Sequence, residues 1–136
     1  MPEPPTDPSR LLRGALRANA LFSGVSGVCA LIAAAPLAEH LGVAPPVRVS
    51  STGLDLVGFA GLLALVASRP RISPAWVTAI LAADGLWVLG SAVLIPLGVF
   101  SLQGRWIIAI LAEIVAALAI LQYAGLRRMR RAAVGS

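Results

Sequence analysis

Residues 105–126 read RWIIAILAEIVAALAILQYAGL, and after Arg105 the only charged side chain among them is Glu113. A helix over this run rises about 1.5 Å per residue, enough to cross a hydrocarbon core about 30 Å thick. A surface helix of a soluble domain carries a polar face, and this stretch has none. The same character recurs upstream, so the fold class follows from this run and its three counterparts: an all-α polytopic membrane protein, an antiparallel four-helix transmembrane bundle.

Working outward, apolar spans are predicted over about 10–41, 51–68, 75–99 and 105–126. GVAPPVRVS (42–50), with Pro45 and Pro46, separates the first two. RPRISP (69–74) separates the next two, with Ser73 and Pro74 fitting an N-cap and a first helical residue. Pro96 is expected to bend or end the third span, and SLQG (101–104) is a tight connection to the fourth. Residues 1–9, MPEPPTDPS, read as a disordered Pro-rich tail, and 127–136 as a basic tail. Short loops make antiparallel neighbours the expected arrangement.

Composition agrees. Of 136 residues, 58% are hydrophobic and 12% charged, against roughly a quarter charged in a soluble domain. The net charge of +5 does not imply nucleic acid, because all the basic residues are Arg and they cluster at span ends. With both termini in the cytoplasm, Arg10, Arg13, Arg17, Arg69, Arg71, Arg127, Arg128, Arg130 and Arg131 lie inside, and only Arg48 and Arg105 lie outside. That asymmetry predicts a multi-pass protein of a bacterial inner membrane, with these arginines meeting lipid headgroups and setting orientation. Arg10, Arg13 and Arg17 share one side of the first helix, where their guanidinium groups are expected to snorkel to the interface; a substrate-binding stripe is the alternative. Trp76, Tyr123, Trp106 and Phe100 fit interfacial belts.

An Arg-flanked apolar core with small residues near Ala33–Ala35 also matches the outline of a cleavable signal. An uncleaved first span is the expectation, and Val28 before Cys29 departs from the lipoprotein pattern. Cys29 reads as a small buried hydrophobe.

Each span carries a residue that is costly in lipid: Asn19, Asp55, Asp84 and Glu113. An Asp at the bilayer centre costs about 2.5–3.5 kcal/mol on insertion scales, so such residues are expected to face protein or water. Asn19 shares a helical face with Ala15, Ser23, Ser26 and Ala30; Asp84 stacks with Ser91 beside Trp87; Asp55 is grouped with Gly58. Glu113 falls among Ala109, Ala116, Ala117 and Ala124, small residues that let a second helix approach. All four are expected to point inward as a polar ladder, with Asn19 and Asp84 toward the inner half, Glu113 just past the centre and Asp55 nearest the outer surface. Such a ladder either relays protons or a cation, or joins helices by hydrogen bonds that fix register.

Nothing points to catalysis. His40 is the only histidine, too few for haem held by two histidines, and with Glu39 it makes no metal site. No nucleophile elbow, P-loop or dinucleotide fingerprint is present, so neither a cofactor nor an enzymatic reaction is expected.

LRANALFSGVSG (16–27) and DGLW (84–87), with its Gly-Ser continuation, resemble uncharacterised small bacterial four-transmembrane integral membrane proteins. The resemblance covers most of the chain and implies no activity. The expected role is a structural or accessory component, self-associating or part of a larger membrane complex. The alternative is a small transporter or a proton or ion pathway using the intramembrane carboxylates.

Overall fold

The structure, a computed structural model, describes residues 2 and 6–136. Part of the tail expected over 1–9 lies outside the described residues. Just before the first helix, the Asp7 carboxylate accepts hydrogen bonds from the Ser9 backbone N–H and hydroxyl, which hold it below the usual carboxylate range.

Five helices follow: α1 (Arg10–Ile32), α2 (Ala34–Leu41), α3 (Val47–Ser68), α4 (Pro74–Leu94) and α5 (Leu102–Val134). All but α2 are long and apolar enough to cross a membrane. Their outward side chains are those of a protein in lipid: Leu21, Ile32, Leu86, Leu89, Trp106 and Ile120 are all exposed. Cys29, expected to be buried, is also exposed.

The helix ends depart from the expected spans for local reasons. The first span is broken at Ala33, which leaves the helical region at φ −112° and ψ 32°. Pro36 is the cause: it has no N–H to give the Ile32 carbonyl, and its ring crowds that same carbonyl. Beyond the break, α2 ends at Gly42, whose φ of 72° is left-handed, and Val43 N–H closes back on the Ala38 carbonyl at 3.0 Å. The third span stops at Leu94, two residues before Pro96, rather than reaching 99. Its start agrees with the sequence pattern, with Pro74 as the first helical residue. The last helix continues through the stretch expected as a basic tail, so Arg127, Arg128, Arg130 and Arg131 are helical. Of these, Arg131 sits in the last turn, where it complements the negative end of the helix dipole.

Packing is uneven. The most extensive contact is α1 on α3; α1 also packs on α5, and α5 on α4. By contrast α3 and α4 touch only sparsely, although just residues 69–73 join them. Backbones approach where glycine permits. A Cβ placed on Gly27 would lie 2.7 Å from the Gly53 carbonyl oxygen of α3, and one on Gly53 would lie 2.8 Å from the Gly27 oxygen. At one end of the bundle Gly125 of α5 lies against the backbone of Leu12 of α1; at the other, Gly104 lies against Leu41. The start of α1 and the end of α5 are therefore at the same end.

Near that end Leu12, Leu16, Leu63, Val77, Ile80 and Leu126 form the main apolar core. A smaller cluster of Ala30, Ala38 and Val49 closes the opposite end. Arg13 is not simply a headgroup residue: its guanidinium donates to the carbonyls of Ala67 and Arg69, satisfying acceptors that the end of α3 leaves open. Arg10 and Arg17 are exposed.

Ser101 secures the opposite end. Its hydroxyl oxygen accepts from Gly104 N–H at 2.9 Å as the N-cap of α5, while its own O–H donates to the His40 carbonyl. Its backbone N–H reaches the Leu41 carbonyl at 2.9 Å. Ser101→Ala removes the cap and the hydroxyl's bond to His40 together, while the backbone bond to Leu41 stays. It is expected to cost about 1–2 kcal/mol, read as a lowered midpoint of thermal unfolding in mild detergent, with helicity before the transition unchanged.

Candidate functional site: a buried carboxylate beside an intramembrane cavity

Between the two apolar clusters the bundle interior turns polar. Asp84 of α4 is 3% exposed, and its Oδ2 accepts from Asn19 Nδ2 of α1 at 2.8 Å and from Gln122 Nε2 of α5 at 3.2 Å. Ser23, one turn beyond Asn19, donates to Asn19 Oδ1 at 3.2 Å and orients that amide. Asn19 and Gln122 are both fully buried. Three helices thus meet at one carboxylate oxygen. This is the polar link between α1 and α4, whose backbones do not come close although their apolar side chains share the main core.

Of the four residues expected to form a ladder, Asn19 and Asp84 are bonded to each other. Asp55 is exposed on α3 and lines the same cavity as Asp84 without hydrogen-bonding to it. Glu113 is the correction: it is exposed on the outer side of α5, not turned inward among the alanines. The buried residues of α5 include Gly104, Ile108, Val115 and Gln122. Glu113 precedes Val115 by two positions, roughly 200° around a 3.6-residue helix, and so faces away from the bundle.

Gln122 was missed. It closes the apolar run just before Tyr123 and the arginines, where a polar side chain reads as interfacial. The available clue was its seven-residue spacing from Val115, two helical turns along the same face.

The cavity fills the gap between α3 and α4, with α1 and α5 behind it. It is an open-sided recess of about 420 Å³, walled by apolar and aromatic side chains, among them Phe22, Phe59, Trp87 and Leu111. Its polar groups are few: Asp84, Asp55, Thr52, Ser23 and Ser26. Among the described residues, no basic side chain lines it. The indole N–H of Trp87 is buried and has no hydrogen-bond acceptor among the described residues. Apolar walls with a few convergent polar groups are the usual make-up of a small-molecule site. Among the described residues, no three His, Cys, Asp or Glu side chains converge as a metal site would require.

The fold and site together define a small polytopic membrane protein with a carboxylate-floored cavity inside its helix bundle. No protein family, curated protein or solved structure matches the chain.

Proposed function

We propose that this is a structural or accessory component of a bacterial cytoplasmic membrane that works by self-association through the outer face of α5. Glu113 carries the reading. It lies on a lipid-facing side of a membrane-spanning helix, where an acidic side chain costs energy unless protein or water meets it. Ala117, one turn along, is also exposed, and a side chain that small leaves room for another helix. A second copy packed on this face would give Glu113 a polar neighbour, so association would relieve a cost the single chain bears. Catalysis of its own is not part of this role.

The arrangement of arginines supports cytoplasmic termini. Arg10, Arg13 and Arg17 begin α1, Arg69 and Arg71 join α3 to α4, and the remaining four of the set end α5, all at one end of the bundle. Arg48 and Arg105 stand at the other. Native mass spectrometry after gentle release from the membrane tests the proposal. The expected species is a defined homo-oligomer that Glu113→Leu shifts toward monomer. A lone monomer in mild detergent would remove the idea, and a stoichiometric complex with another protein would replace self-association with a heteromeric contact.

A proton or ion pathway is the second reading, favoured by Asp84 and Asp55 lining one cavity. It fails if Asp84→Asn leaves proton-coupled flux into liposomes unchanged.

A further inference from the structure

We propose that the cavity between α3 and α4 binds a membrane-partitioned organic amine, its ammonium on Asp84 and its apolar body against Phe22, Phe59 and Trp87. This goes beyond self-association and does not depend on it, because the site lies within a single chain and Glu113 is not among its lining residues.

The first support is charge. Two carboxylates line the cavity and, among the described residues, no arginine does. In low-dielectric surroundings a cation is the complement to such a site, whereas an anionic headgroup would be repelled. The second is an open acceptor. Both amide donors that reach Asp84 go to Oδ2, and its Oδ1 takes no hydrogen bond among the described residues. Asn19 and Gln122 hold the carboxylate in place from the bundle side, leaving Oδ1 for a donor that the protein does not itself supply.

The walls supply the third. Phe22, Phe59 and Trp87 give aromatic faces that suit both hydrocarbon and a nearby cation. The unpartnered Trp87 N–H fits an amine that also carries an oxygen acceptor. Size and access agree: about 420 Å³ falls at the small end of ligand cavities, and the sparse α3–α4 contact leaves a lateral entrance from the bilayer. A lipid tail would satisfy the walls but neither polar group.

The test uses the full chain in nanodiscs of zwitterionic lipid, with Trp76→Phe and Trp106→Phe leaving Trp87 as the sole tryptophan. Phenylbutylamine is titrated against its neutral isostere pentylbenzene, and Trp87 emission is read. A saturable shift is expected with the amine, at least tenfold tighter than with pentylbenzene. Asp84→Asn keeps an acceptor for both neighbouring amides and is expected to weaken amine binding at least tenfold while leaving pentylbenzene unaffected. Ala83→Leu, an exposed position on the cavity wall, is expected to weaken both ligands. Equal binding of the two ligands, or amine binding indifferent to Asp84→Asn, would overturn the proposal and leave a recess filled by lipid tails.

Discussion

Gly53→Leu and Gly27→Leu are each expected to separate α1 from α3 and to produce the largest loss of stability of any single substitution considered. At both positions the obstacle is backbone as well as side chain. A Cβ on Gly53 would sit 2.8 Å from the Gly27 oxygen, 2.9 Å from Ala30 Cβ and 3.1 Å from Leu31 N. A flexible side chain could swing aside, but a helix backbone moves only as a whole. Overpacking a tight core costs typically about 1–3 kcal/mol. Here the misfit also pushes apart the most extensive helix pair in the molecule, so about 3 kcal/mol or more is expected.

Gly58→Leu and Gly61→Leu are the controls, because a Cβ at either meets nothing within 4 Å. Thermal unfolding in one detergent compares the four variants. If Gly53→Leu melts with Gly58→Leu, the helices are not held by this close approach.

Asp84→Leu is expected to pull two measurements in opposite directions. As an isolated segment α4 should insert more readily, because removing an Asp from the helix centre relieves about 2.5–3.5 kcal/mol on the insertion scale. Within the folded bundle the same change strands the amides of Asn19 and Gln122, which donate to Asp84 Oδ2. An unsatisfied buried donor costs about 1–3 kcal/mol in general, and interhelical hydrogen bonds in membranes average nearer 0.6 kcal/mol. A docking loss of about 1–3 kcal/mol follows from the pair. It should appear as faster hydrogen exchange across α4, the helix that α1 reaches through this carboxylate. Asp84→Asn, which retains an acceptor, should lose less. Unchanged exchange in Asp84→Leu would mean that apolar packing on α5 and in the main core holds α4 without this carboxylate.

The polar interior shows which parts of this arrangement could be read from the sequence. Asn19 and Asp84 lie at similar distances from helix starts at the same end of the bundle, so rise per residue alone brings them to a common depth. Their burial follows from the small and polar residues repeating on their own faces. Glu113 misled for the opposite reason. Alanines near it looked like a packing stripe, but on α5 the close approaches are made by Gly104 and Gly125, and alanine is as much at home facing lipid. Which of two plausible stripes turns inward depends on partners in other helices, and α5 alone does not contain that information. The cavity was invisible for a related reason. It exists because α3 and α4, neighbours in sequence, barely touch, whereas short connections suggest that they pack.

The meeting of three helices at Asp84 also imposes an order in time. Asn19 emerges from the ribosome 65 residues ahead of its carboxylate partner, and Gln122 follows that partner by another 38. At about 5–20 residues per second the first of these waits is roughly 3–13 s. Throughout it the first helix must shelter an amide whose acceptor has not yet been synthesised. Docking α1 on α3 before α4 is made leaves that amide without its carboxylate. The bundle is therefore unfinished until its last helix arrives, and the nascent chain passes through a stage in which a polar side chain within the membrane is open to whatever acceptor is nearest.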